Sequence, residues 1–189
     1  VVAAKANSLS LVRFDRNDYS VPTAYAHHDV TAIGDIDEVR IAVGATVVAR
    51  HRRVWSKEHT TYDPRHYLAL LERKPGAFDV ARPLERWELP SCFTVLRRRL
   101  EADLDSAGTR EFIKVLRLLE SVSLRELAAA VEVALSIGAT GADAIRLICL
   151  HRQEQPVGLF SLDGHPHLKL FAIDPPDLHA YRALTQIGA

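Results

Sequence analysis

The sequence has no methionine, only two cysteines, and a formal net charge of zero across 189 residues. Each scarcity excludes something. Cys92 and Cys149 lie far apart and outside any Cys-x-x-Cys pair, which argues against a disulfide framework and a thiolate zinc site and leaves buried free thiols as the expectation. No apolar run approaches the roughly 18 to 20 residues that span a bilayer, and the N-terminal VVAAKANSLS has neither a basic region ahead of a long apolar stretch nor a cleavage pattern. The expectation is a soluble, cytoplasmic protein, and the missing methionine argues that Val1 is not a natural start. A Walker-type phosphate loop and a G-x-S-x-G nucleophile elbow are both absent, which removes ATP hydrolysis by that route and the common serine-hydrolase signature. No internal repeat of fixed period emerges.

What is present is a chain 48% hydrophobic, long enough for one sizeable core or two small ones. Its zero net charge hides an uneven distribution. From Val48 to Arg99 there are 12 Lys/Arg against 6 Asp/Glu, whereas residues 1–47 carry 4 against 6 and residues 100–189 carry 8 against 12. The centre of the basic block is VVARHRRVW, residues Val47 to Trp55. Such a block is either a solvated surface or the footprint of a polyanion.

The first 60 or so residues read as short strands. SLSLVRF alternates, the polar DRND turns the chain into YSV, and Pro22 ends that strand or marks an edge. DIDEVRIAV places Val39, Ile41 and Val43 on one face; Gly44-Ala45 suits a two-residue type II′ hairpin; TVVARHRRVW returns. In the returning strand the alternation sends Val47 and Ala49 inward, Val48, Arg50 and Arg52 outward, and leaves His51 and Arg53 at the rim. Three or four strands with tight turns suggest a small barrel rather than a sandwich.

After Trp55 the period changes. Asp63 with Pro64 opens a short helix that stops at Lys74-Pro75-Gly76, and AFDVARPLERWE reads as an irregular linker. A helix from Pro90 stacks Phe93, Leu96, Leu100 and Leu104 and fans Arg97, Arg98 and Arg99 around its exposed side. Three further helices follow: one opened by Gly108-Thr109, one with Ser123 and Glu126 as a capping box, one opened by Thr140 with Asp143. Their short connections predict antiparallel packing. The fold class is therefore α+β: a small N-terminal SH3-like β-barrel over residues 1–58, a linker with connecting helices over 59–108, a three-helix region over 109–155, and an extended Pro/Gly-containing tail over 156–189.

The segments FDRNDYSVP, VVARHRR, DPRHYLALLERKPGA and FSLDGHPHLK together resemble the C-terminal part of the larger, IstA-type transposase of the two-gene insertion-sequence-twenty-one family, over roughly Leu9 to Ala183. The resemblance implies a barrel like the one that follows the catalytic core in phage Mu-type transposases, then a helical region. It also implies that the helix-turn-helix and the Asp, Asp, Glu metal triad of the parent protein lie outside these residues. On that reading the chain is no enzyme by itself, needs no cofactor, and the Mg²⁺ of transposition belongs to the catalytic domain. Its own carboxylates fit ordinary roles: Asp15 and Asp18 in a turn, Asp35, Asp37 and Glu38 at a strand start, Asp174 and Asp177 among prolines. His165 and His167 lack a third ligand nearby, and His27 and His28 point to opposite faces if extended.

The expected DNA contacts are Arg50, Arg52, Arg53 and Lys57, with Arg13 and Arg40 as supporting cations on the same strand region, directed at the phosphate backbone without reading sequence. The helical region and tail are expected to dock proteins, with Leu159, Phe160, Leu168, Leu170 and Phe171 as anchors. The resemblance supplies the partners: DNA, intact transposase subunits, and the IstB-type AAA+ ATPase encoded beside this kind of transposase. Two alternatives stand beside this, an inert remnant or competitive regulator of an intact transposase, and an unrelated small hydrolase domain.

Overall fold

The computed structural model describes residues 1–153, and the chain beyond Gln153, including the five expected anchors Leu159 to Phe171, lies outside the described residues. Seven strands come first: β1 Val2–Lys5, β2 Leu11–Phe14, β3 Asn17–Ser20, β4 Asp29–Gly34, β5 Glu38–Val43, β6 Thr46–Arg52 and β7 Thr60–Thr61. They form two sheets. One is antiparallel in the order β1-β4-β5-β6; the other runs β2-β3-β7, with β7 parallel to β3. The expected barrel is thus two separate sheets, with no ladder joining them among the described residues. The sheets share one apolar core built on Val12, Tyr19, Val21, Val39 and Ile41.

The hairpins follow local chemistry. Gly44 has φ +58° while Ala45 stays at negative φ, as a type II′ turn requires. The β2–β3 turn instead puts Asp15 and Arg16 both at positive φ, 49° and 62°. In β6 the alternation expected from sequence breaks. Ile41 pairs with Ala49 but Ala42 pairs with Val47, so Val48 is the extra residue of a β-bulge. Ala49 and His51, beyond the bulge, keep the inward alternation and are buried, whereas Val47, expected inside, is 37% exposed.

Five α-helices complete the described chain: α1 Leu68–Arg73, α2 Ser91–Leu104, α3 Gly108–Arg117, α4 Leu124–Ile137 and α5 Ala142–Gln153. The supposed linker is ordered as two 3₁₀ segments, Pro75–Val80 and Arg82–Leu84. Phe78 buries there against Phe112, and Arg97 of α2 holds Asp79 through two hydrogen bonds of 2.7 and 2.8 Å. Phe93, Leu96 and Leu100 enter the helical core as the stripe predicts, but Leu104 is 45% exposed. The capping box forms, Ser123 accepting from the Glu126 amide while the Glu126 carboxylate accepts from Ser123 N–H. α4 and α5 are not antiparallel; the chain turns through 119° between them. No single helix among the described residues is long and apolar enough to cross a membrane.

Strands and helices belong to one compact unit, Val1–Gln153. Polar links join their separate cores, among them two from the segment Pro64–Tyr67. Tyr67 Oη donates to the carbonyl of Leu9 at 2.9 Å, and Ser20 Oγ shares a 2.9 Å hydrogen bond with His66 Nδ1.

Candidate nucleic-acid interface

The basic surface is built on β5 and β6. Their register sets Arg40 opposite Arg50 and Glu38 opposite Arg52, so the outward face of the pair carries three arginines and one carboxylate. Glu38 serves two of the three: it lies 3.2 Å from Arg50 Nη1 and 3.8 Å from Arg40 Nε. Exposed pairs of this kind contribute roughly 0 to 1 kcal/mol, so a phosphate can displace the carboxylate at little cost. Arg52 is exposed and has no ion-pair partner among the described residues, and Lys57 is in the same condition.

Arg13 and Arg53 are differently placed. Arg13 donates twice to Glu58, at 2.7 and 2.9 Å, and once to Asp18 at 3.2 Å, closing β2 onto the loop that follows β6. Arg53 is expected at a rim, but its side chain is only 17% exposed. It donates to the Asp35 carbonyl at 2.7 Å and to Asp15 at 3.2 Å, and its guanidinium lies 3.9 Å from the centre of the Trp55 ring. Both arginines hold the loop rather than offer a free charge.

That loop is fixed from beneath by a residue the sequence shows only as a turn former. Asn17 is 1% exposed; its Nδ2 donates to the carbonyls of Val54 and Ser56 at 2.9 and 2.7 Å, and its Oδ1 accepts from His59 N–H at 2.9 Å. Tyr19 Oη accepts from Val54 N–H at 3.1 Å. Trp55, held between these bonds, is 64% exposed.

A Ser-His-Asp trio sits under the same sheet, and no motif announces it. Ser20 Oγ accepts from Asp63 N–H at 2.8 Å and bonds His66; His66 Nε2 lies 3.8 Å from Asp63, which Arg65 grips through Nε and Nη2. Ser20 is 0% exposed, so its hydroxyl is out of reach of any substrate, and the trio is a structural joint. His51 belongs to it too. Its Nε2 donates to the Ser20 carbonyl at 2.6 Å, which fixes the tautomer because a carbonyl only accepts. Burial depresses both imidazoles, His66 to about 4 despite the opposing pull of Asp63, and His51 in the same direction. No group of three or more metal-ligating side chains converges among the described residues.

Compared with known proteins, the chain is similar to proteins of one class, the transposases. It is 34% identical over 180 residues to a transposase from Aminobacter aminovorans, covering 93% of this chain and 32% of that relative. It is 29% identical over 157 residues to the transposase for insertion sequences IS1326/IS1353 from Pseudomonas aeruginosa, covering 80% of this chain and 30% of the relative. The counterpart from Shigella flexneri matches to the same extent. The chain thus spans about a third of the length of the curated relatives it matches. Residues 1–63 match the family described as Mu transposase, C-terminal domain, and together with these relatives the match supports a C-terminal portion of a transposase, as the resemblance implied. No solved structure matches it.

Proposed function

We propose that the chain is the part of a DNA transposase that holds DNA by its backbone while catalysis takes place elsewhere in the protein. The observation that carries this reading is the outward face of β5 and β6, where Arg40 and Arg50 share a single carboxylate and Arg52 has none. Lys57, exposed on the loop that follows β6, is the fourth cation of this reading; Arg13 and Arg53 serve by shaping the loop. Contacts of this kind position a protein without reading sequence. Two unrelated duplexes should therefore bind with affinities within about threefold of each other, and the Arg50→Ala/Arg52→Ala double variant should weaken both about equally. A strong preference for one duplex, or unchanged affinity in the variant, contradicts the reading. Given Mg²⁺ or Mn²⁺ and pre-cut transposon ends, the isolated chain should join nothing; metal-dependent joining above background would reveal an active site in it.

The helical region carries a second role, docking protein partners. In α5, Leu147 and Leu150 lie one turn apart and are 66% and 50% exposed, a surface that ordinary solvation does not call for. The resemblance supplies intact transposase subunits and the IstB-type ATPase as partners. A Leu147→Asp/Leu150→Asp chain should lose capture of the purified ATPase while keeping its circular-dichroism spectrum; retained capture excludes this face.

A further inference from the structure

Beside the loop that carries Trp55 opens a groove of about 560 Å³, between the segment running from Val54 to Pro64 and the turn from Arg82 to Trp87. Its lining is unlike that of the outer sheet face. Tyr62 and Trp87 contribute aromatic rings, Thr60 and Thr61 hydroxyls, and Arg82 and Arg86 two guanidiniums. Both arginines are exposed and neither guanidinium has an ion pair or hydrogen bond among the described residues. Of the two carboxylates on the lining, Glu58 is already occupied by Arg13, which leaves Glu85 against the two arginines and His59. Val54, at the groove, immediately precedes Trp55, whose indole is 64% exposed with Arg53 held against it. The loop's backbone is pinned at Val54, Ser56, Glu58 and His59, so the indole is presented at little further entropic cost. A duplex places its bases inside and has no use for exposed rings. A single strand has use for both features, because phosphates follow cations while any base stacks on an aromatic face.

We infer that this groove, with Trp55 beside it, binds a single strand of DNA: Arg82 and Arg86 hold its phosphates and Trp55 stacks on an unpaired base. The inference rests on the DNA reading above but uses different residues, so the two fail separately. A labelled thymidine 12-mer and a duplex are titrated by fluorescence anisotropy against the full chain and three variants. Trp55→Leu, which keeps apolar bulk without a π-face, should lose about tenfold or more for the 12-mer and less than about twofold for the duplex, whereas Trp55→Phe should stay near the parent. Arg82→Gln/Arg86→Gln should weaken the 12-mer and flatten its log-affinity against log-salt slope by about 1.4. Equal losses for single strand and duplex, a Leu variant indistinguishable from the Phe variant, or an effect on self-association in place of DNA each overturn it.

Discussion

At the residue scale, His66 links stability to pH. Its imidazole is 10% exposed and held at about 4 by burial, against about 6.5 when unfolded; Asp63 opposes that shift, while His51 and Arg65 reinforce it. The folded state then binds fewer protons than the unfolded one throughout that interval. The contribution is complete above pH 6.5 and is lost as the pH falls toward 4, an interval of about 3 kcal/mol that the depressed His51 steepens. The urea midpoint should therefore drop between pH 7.5 and pH 5, and His66→Gln should lower it at pH 7.5 while flattening the profile. A parent profile without slope in that window contradicts the buried, neutral assignment. Asn17 shows what sequence leaves hidden at this scale. In DRND it reads as a turn residue, yet β3 turns it inward, where its amide replaces a missing strand partner for residues 54–59; nothing in one sequence distinguishes an Asn that makes a turn from one that props a distant loop.

At the element scale, the junction of α2 and α3 depends on Gly108, which is buried at ordinary helical angles. A Cβ there would collide with the backbone of Leu100 and Glu101, which cannot move as a side-chain tip can. Gly108→Ala should cost about 2 kcal/mol or more in chemical unfolding despite its better helix propensity; a neutral or stabilising result would show that the crossing is looser than described. The helices were legible because their signals are local: Asp63-Pro64, the Ser123/Glu126 box and the Phe93, Leu96, Leu100 spacing all reappear as caps and core. The strands were less so. β1, β4 and β7 are not legible because VAAK, DVTAIG and TT carry weak alternation and take their identity from partners far along the chain. A bulge at Val48 is likewise a property of a pairing, and it turns Val47 outward while Ala49 and His51 stay inside.

At the scale of the whole molecule, zero net charge conceals a division of labour between its cations. Arg13 and Arg53 are committed to the loop, Arg97 and Arg117 tie helical segments through Asp79, Glu101, Glu72 and Glu120, and on the proposed reading Arg40, Arg50, Arg52 and Lys57 are the cations that meet duplex phosphates. The sequence located the basic block but could not sort it, because every arginine looks alike until its carboxylates are placed. That sorting is measurable through the salt dependence of duplex binding, followed by anisotropy from 50 to 200 mM NaCl. Four engaged phosphates require log affinity to fall against log salt with a slope of about −3.6, and Arg50→Ala/Arg52→Ala should reduce it to about −1.8. A flat parent slope, or a variant whose slope equals the parent's, would contradict the assignment of these cations to DNA.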